Sequence, residues 1–223
     1  MIRLENVHKA FHYRGHVKHV VKGVTIDFPR GKSIALLGRN GAGKSTLLKM
    51  LAGTAQPDQG RITIEGSVSW PVGFQGSFHR DLTGAQNARF LARVYGVDTT
   101  EMVAFVEDFA ELGNHFHQPV RSYSSGMRSR LGFGCSMAIR FDWYLVDEVT
   151  AVGDAAFREK SETIFLDRMR ASSAVFVSHS MGDIRRVCDA AVVLENGSMR
   201  YFGDIEEGIA RHERNMRIKL QAN

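Results

Sequence analysis

Residues 38–46 read Gly-Arg-Asn-Gly-Ala-Gly-Lys-Ser-Thr, and this stretch fits the pattern G-x-x-x-x-G-K-[ST]. An apolar run typical of a short buried strand precedes it at residues 33–37, and helical apolar spacing follows it up to Leu51. In such a strand–loop–helix segment, backbone N–H groups curl around a phosphate and the helix N-terminus adds its positive end. A glycine turn that caps a helix would explain the glycines but not the Lys-Ser pair. The stretch therefore predicts a phosphate-binding loop.

The loop residues have distinct predicted roles. Lys44 can reach the outer phosphates, which places it among the expected catalytic residues, and the Ser45 hydroxyl can bind Mg²⁺. The nucleotide is expected to contact the whole loop: Gly38, Arg39, Asn40, Gly41, Ala42, Gly43, Lys44, Ser45 and Thr46.

The composition is that of a soluble globular protein. The chain has 223 residues, 43% hydrophobic and 24% charged, with a net charge of +5. Charges of both signs are scattered, so the basic balance by itself indicates no nucleic-acid arm. Two cysteines far apart fit a reducing compartment. We find no signal-peptide pattern and no run near the roughly 20 apolar residues of a membrane span, and we expect the protein on the cytosolic side.

The order of predicted elements indicates an α/β protein. The apolar patterns change from strand-like to helical between about residues 82 and 140, which predicts a helical insertion. A turn signal at residues 195–198 separates two strand-like runs and predicts a hairpin. Strands are expected at 2–11, 20–28, 33–37, 61–64, 143–146, 174–177, 191–194 and 199–202, and helices near 46–51, 157–170 and from 205.

A second informative stretch is a buried apolar strand, residues 143–146, that ends in Asp147 and Glu148. Carboxylates at the C-terminal end of a parallel strand lie beside a phosphate loop. Asp147 is then placed to hold Mg²⁺, and Glu148 to polarise the attacking water as a catalytic residue. A strand-ending acidic pair that only caps the next turn is the alternative.

Histidines occur in two settings. His179 follows the strand predicted at residues 174–177, so it should reach the same sheet edge and act on a γ-phosphate, although a lone histidine can also serve only as a hydrogen-bonding turn residue. The others of note flank Gly15 in a predicted loop with irregular spacing, and we interpret them as solvated rather than metal-binding. They are His8, His12, His16 and His19.

Residues 123–128 place two serines and a glycine at the start of a helical stretch. Ser124, Ser125 and Gly126 can form an anion-binding corner at a helix N-terminus. By themselves they are equally typical of an ordinary N-cap.

Taken in order, these motifs resemble those of ATP-binding-cassette (ABC) ATPases over nearly the whole chain. The resemblance implies a nucleotide-hydrolase core with a mostly parallel sheet, an antiparallel β region and a helical, signature-bearing insertion. It also implies ATP and Mg²⁺ as cofactors, and a head-to-tail homodimer in which Ser124, Ser125 and Gly126 of one copy close on ATP held by the other. Asp154 belongs to the nucleotide-contacting set by the same resemblance.

Two positions have alternatives within this resemblance. Phe11 matches the aromatic residue that stacks on adenine, with Tyr13 as the alternative, and a phenylalanine that merely ends a strand in the core is a third interpretation. Gln75 matches the metal-binding glutamine of the family one residue out of register, and His79 is its rival for the role of coupling to a partner.

Four stretches resemble more specifically the sequences of the ATP-binding subunits of bacterial capsular polysaccharide exporters. They are residues 69–73, 106–113, 123–134 and 146–154. That similarity implies a polytopic membrane permease that moves a lipid-linked polymer, a periplasmic co-polymerase in the same complex, and a peripheral place on the cytoplasmic face of the inner membrane.

Other classes of function are less well matched. A soluble cassette protein that acts on nucleic acid or the ribosome usually has tandem cassettes, coiled-coil inserts or basic arms, whereas this chain has one phosphate loop. A phosphate-loop kinase would need a lid over its acceptor. We therefore expect a transport ATPase and no nucleic-acid partner.

Overall fold

The computed structural model describes residues 1–13, 15–72, 78–147 and 154–220, with the side chains of Tyr13 and of residues 218–220 left undescribed. Within the chain there are two compact units. The first comprises Met1–Ser69, Asp142–Glu148 and Ala171–Asn223, and the second comprises Trp70–Phe141 and Val149–Arg170. The second unit thus takes in a later helix besides the helical insertion expected between residues 82 and 140.

The first unit contains an antiparallel sheet with the order β2-β1-β4. Its strands are β1 (Ile2–Tyr13), β2 (His16–Phe28) and β4 (Gln59–Ile64). The loop that we expected around Gly15 was wrong. Strand pairing continues to Tyr13 opposite His16, so the four histidines lie on the strands of a long hairpin.

The larger sheet has six strands in the order β5-β6-β7-β3-β8-β9. The strands β6, β7, β3 and β8 run parallel, and β9 pairs antiparallel with β8 across the predicted hairpin. They are β3 (Ser33–Leu37), β5 (Val68–Pro71), β6 (Trp143–Asp147), β7 (Ser173–Val177), β8 (Ala190–Glu195) and β9 (Ser198–Phe202). The α/β fold with a mostly parallel sheet and an antiparallel β region is confirmed.

Every residue of β3 and β7 is buried, as their continuous apolar runs require in a parallel sheet covered on both faces. The helices of the first unit are α1 (Lys44–Leu51), α6 (Met181–Val187) and α7 (Ile205–Leu220). Phe28, Ile34 and Leu47 are fully buried in the core of this unit. The packed core fixes the strand ends and the start of α1, which carry the candidate site.

The second unit is helical. Its helices are α2 (Gly84–Tyr95), α3 (Thr99–Ala110), α4 (Ser125–Ala138) and α5 (Ala155–Ala171). Phe109 of α3 is the centre of its core, with ring centroids 5.8 Å from Phe133 and 5.3 Å from Phe157. Gly134 makes room for this ring, because a Cβ atom there would lie 3.2 Å from Phe109 Cδ1.

Candidate nucleotide-binding site

The phosphate loop connects β3 to α1 and adopts a backbone that requires glycine. Gly41 has φ +72° and Gly43 has φ +114°, both in the left-handed region that side chains disfavour. The helix begins at Lys44, and the N–H of Leu47 already donates to the carbonyl of Gly43 at 2.9 Å. The first N–H groups of α1 are therefore directed toward the loop, where a phosphate would lie.

The Lys44 side chain lies over the loop itself. Its Nζ donates to the Gly38 carbonyl at 2.7 Å and to the Arg39 carbonyl at 3.2 Å. These bonds hold the ammonium beside the N–H groups of the loop. A charged phosphate is a stronger acceptor than a neutral carbonyl, so it can compete for this donor.

A cavity of about 390 Å³ joins the loop to the ends of two strands. It is lined by Phe11, Lys18, Val20, Asn40, Gly41, Gly43, Lys44, Ser45, Thr46, Asp147, Val177 and His179. The structure therefore brings together the predicted phosphate loop, one predicted carboxylate and the predicted histidine. Its volume is at the lower end of the range typical of small-molecule and cofactor pockets.

Asp147 and His179 reach the cavity because their strands are parallel neighbours. Asp147 is the last residue of β6 and pairs in register with Val177, the last residue of β7. His179 follows two residues later and is exposed. Glu148, the predicted water-activating residue, lies outside the described residues, as does Gln75.

Phe11 lies on the cavity wall and not in the core. Its side chain is 48% exposed, and the Lys9 ammonium lies 5.8 Å from its ring centroid. These observations argue against a core phenylalanine that ends a strand. The exposed ring is accessible from the cavity, as stacking on a base requires. The side chain of Tyr13, the alternative, lies outside the described residues.

Lys18 and Val20 are lining residues that the sequence reasoning missed. Lys18 pairs across the strands with Phe11, and Val20 lies against Gly43 of the loop. The sequence predicts the second strand from Val20, which leaves Lys18 in a loop, whereas β2 begins at His16. No local pattern marks Lys18, because it reaches the cavity only through the pairing of β2 with β1.

The signature-like residues lie at the start of α4, in the second unit. Ser124 is the N-cap, and its Oγ accepts a hydrogen bond from the Met127 N–H at 3.2 Å. Ser125 and Gly126 form the first turn. The N-cap interpretation is thus confirmed, and the role in nucleotide binding stays a prediction.

Asp154 precedes α5 in the same unit and is engaged within it. Its carboxylate accepts from the Phe157 N–H at 3.0 Å and from the Arg130 guanidinium at 2.8 Å. The hydrogen bond from Phe157 and the charge of Arg130 hold the pKa of the Asp154 carboxyl below its usual value. In this structure Asp154 caps a helix and pairs with an arginine of α4.

His79 is held in a turn before α2. Its N–H donates to Oδ1 of Asn87 at 2.9 Å, and its ring Nδ1 accepts from the Asp81 N–H at 3.3 Å. Asn87 is buried and also bonds the carbonyl of His79, which fixes the backbone here. The imidazole itself is exposed at the surface of the second unit.

The cavity residues fit a magnesium nucleotide. Gly41 and Gly43 line the cavity, and the Ser45 hydroxyl and the Asp147 carboxylate supply oxygen ligands of the kind that Mg²⁺ prefers. Across the described ranges, no group of three or more His, Cys, Asp or Glu side chains could hold a metal by itself. Bound through Ser45 and Asp147, Mg²⁺ would complete its coordination with nucleotide oxygens and water, as it commonly does.

The sequence pattern of the ABC transporter family matches residues 21–151. The chain belongs to the ABC transporter family. It is an ATPase of this family, and the ABC cassette fold expected from its motifs is confirmed.

Curated relatives of this ABC ATPase extend over almost its full length. It is 48% identical over 216 residues to the polysialic acid transport ATP-binding protein KpsT of Escherichia coli, and the matched region covers 96% of each chain. It is 44% identical over 207 residues to the ATP-binding protein BexA of Haemophilus influenzae, covering 93% of this chain and 95% of the relative. The capsule polysaccharide export ATP-binding protein CtrD of Neisseria meningitidis is 42% identical over 207 residues, covering 93% and 96%.

Solved cassettes share its fold at low sequence identity. The dimeric ATP-binding cassette MJ0796 bound to ADP and phosphate is 20% identical, with a TM-score of 0.73 over 91% of this ABC ATPase and 98% of that chain. An ATP-binding subunit of an ABC transporter is 22% identical, with a TM-score of 0.75 over 93% and 91%. Among the helices described for this ABC ATPase, none is both long and apolar enough to span a membrane.

Proposed function

We propose that this protein is the ATP-hydrolysing subunit of an exporter that carries capsular polysaccharide, as a lipid-linked polymer, across the bacterial inner membrane. The observation that carries the proposal is 42–48% identity, over almost the full length of both chains, to transport and export ATP-binding proteins for polysialic acid and capsule polysaccharide. Identity at this level over almost the full length of both chains supports a shared function and not a shared fold alone.

The proposed roles of the site residues follow from their positions in the lining of the cavity. Lys44 and the N–H groups of the loop bind the phosphates, and Ser45 and Asp147 hold Mg²⁺, which neutralises phosphate charge when bound. His179 lies on the same wall and is proposed to hydrogen-bond the γ-phosphate. Glu148 is proposed to orient the attacking water and accept its proton. Gln75 is proposed as a further metal contact.

The nucleotide is proposed to lie between two copies of the chain. The solved cassette MJ0796 is dimeric with ADP and phosphate bound. Here Ser124, Ser125 and Gly126 begin a helix whose first N–H groups can bind an anion, and the proposal gives them, with Asp154, to the nucleotide of the second copy.

A membrane permease is the proposed second partner, with the second unit as its contact. Helix α2 exposes Phe90 and Val94, each 57% accessible, and Tyr95 at 38%. Tyr95 packs with Trp70 and Phe141, with ring centroids 5.1 and 5.3 Å away. Exposed apolar side chains that adjoin an aromatic cluster are typical of protein interfaces. A periplasmic co-polymerase is proposed to belong to the same complex, and this chain is proposed to lie on the cytoplasmic face of the inner membrane.

The proposal is tested in cells that lack the chromosomal copy of this chain. Wild-type protein should restore polymer on the cell surface, whereas Lys44→Ala should leave the polymer inside, because nucleotide binding is weakened. A matched control is Lys49→Ala, which removes an exposed lysine of the same helix outside the cavity lining. Normal surface polymer without the chain would overturn the proposal.

A further inference from the structure

Lys18 lines the nucleotide cavity together with Phe11. It is the direct cross-strand partner of Phe11 in the hairpin of β1 and β2, and both side chains line the cavity. Directly opposed residues on neighbouring strands have Cβ atoms about 5 Å apart. An adenine that stacks on Phe11 would therefore have Lys18 close to it, and the Lys18 side chain extends from there to the phosphate loop at Gly41.

The Lys18 ammonium lies above the phosphate loop. A Cβ atom built on Gly41 would be 3.3 Å from Lys18 Nζ, so the cation is close to the backbone N–H groups of the loop. Lys44 lies on the same loop, but its Nζ bonds the carbonyls of Gly38 and Arg39. The two lysines thus approach the loop from different elements, β2 and α1.

Within the described part of the chain, Lys18 forms no ion pair. Lys9, on the neighbouring strand, contrasts with it, because its Nζ pairs with Asp58 at 2.7 Å. The hairpin segment 6–26 also contains no Asp or Glu, although it carries three lysines and an arginine. Lys18 is therefore a cation that lies close to an anion-binding loop and has no carboxylate partner among the described residues. Such a cation is positioned to bind a phosphate of a ligand.

We propose that Lys18 is a second phosphate-binding cation, which contacts the inner phosphates of the nucleotide, those nearer the ribose. The assignment rests on the proposed nucleotide site and adds a residue outside all of its motifs. Lys44 then serves the outer phosphates, and the hairpin both stacks on the base and neutralises charge. The inner phosphates are common to ATP and ADP, so Lys18 should hold substrate and product alike.

An adjoining cavity offers Lys18 a competing role. This cavity, of about 610 Å³, shares Lys18, Asn40 and Gly41 with the nucleotide cavity and also contains Arg39 and Glu195. If Lys18 belonged to that cavity, its loss would leave nucleotide affinity unchanged. Nucleotide affinity therefore separates the two roles.

The test measures equilibrium dissociation constants of ATP and ADP, each with Mg²⁺, for the purified full chain. Lys18→Gln should weaken both nucleotides by about tenfold, the effect of losing one charge-assisted hydrogen bond. Lys18→Arg should restore most of the affinity, because it keeps the charge. Lys22→Gln is the matched control: it changes a lysine of the same strand that packs against Gly197, and affinity should stay within about twofold of wild type.

Three outcomes would overturn the proposal. They are unchanged affinity in Lys18→Gln, weaker binding of ATP but not ADP, and failure of Lys18→Arg to restore binding. Thermal unfolding of each variant, without nucleotide, verifies that it is folded. Failure of the proposed export function can be distinguished from failure of the Lys18 assignment. A wild-type chain that binds nucleotide but does not restore surface polymer would contradict the export function and leave the Lys18 assignment intact.

Discussion

Gly43 of the phosphate loop and Val20 of β2 are packed so closely that a Cβ atom on Gly43 would overlap the Val20 Cγ1 methyl. Gly43 also has φ +114°, so the position excludes side chains for two independent reasons. Val20 of the antiparallel sheet thereby packs directly against the phosphate loop, and both residues line the cavity.

Gly43→Ala is expected to abolish measurable nucleotide binding and to destabilise the chain. Backbone strain of this kind costs on the order of 1–3 kcal/mol, and the overlap with Val20 adds to it. Urea unfolding and nucleotide titration provide the measurements. The control is Gly53→Ala, where φ is +72° but nothing lies within 4 Å of the added carbon. Equal losses of stability in the two variants would show that the contact with Val20 is unimportant.

Glu148→Gln should separate binding from chemistry. The amide cannot accept a proton from the attacking water, so ATP should still bind while hydrolysis slows by at least about a hundredfold, as expected when a general base is lost. Single-turnover hydrolysis and ATP binding on the same preparation provide the measurements. Lys44→Ala, by contrast, should weaken binding itself. A wild-type hydrolysis rate in Glu148→Gln would remove Glu148 from its proposed role.

Changes at Gln75 or His79 should uncouple the ATPase from its permease. The His79 imidazole is exposed while its backbone is anchored by Asn87, so His79→Ala should leave the turn in place, although it also removes the 3.3 Å hydrogen bond from the Asp81 N–H to the ring. In the reconstituted complex, stimulation by the permease should fall several-fold more than the basal rate of the subunit alone. His117→Ala, an exposed histidine of the same unit that pairs with Glu107, is the control. Equal loss of both rates would instead assign the residue to catalysis.

Stability should depend on pH through Asp154. Its pKa is lowered in the folded chain, chiefly by the hydrogen bond from the Phe157 N–H, so the ionised carboxylate stabilises the fold above the unfolded pKa of about 3.8. The contribution is lost as pH falls through the lower, folded pKa.

Urea unfolding of wild type and Asp154→Ala at pH 7 and near pH 3 tests this dependence. The difference should be present at pH 7 and smaller at the acidic pH. Asp154→Asn, which retains an acceptor for the Phe157 N–H, should lose less stability than Asp154→Ala. A difference that grows on acidification would contradict the sign of the shift.

Local patterns in the chain were sufficient for the fold class and for most of the cavity. The loop at residues 38–46 was predictable because its chemistry depends on contiguous glycines and a Lys-Ser pair, and β3 begins and ends where its apolar run does. Asp147 and His179 were predictable because strand ends are marked by a change from apolar to polar residues. The helix expected from residue 205 is also present, as α7, which begins at Ile205.

Tertiary structure alone decided which distant residues share a site. Lys18 and Val20 join the loop only because β2 pairs with β1 and passes over Gly43, and nothing in their own neighbourhood along the chain indicates a nucleotide. Asp154 pairs with Arg130, 24 residues earlier, only once α4 and α5 have packed. Local periodicity specifies which face of an element is buried, whereas strand register and helix packing specify what that face meets, and those depend on contacts between remote parts of the chain.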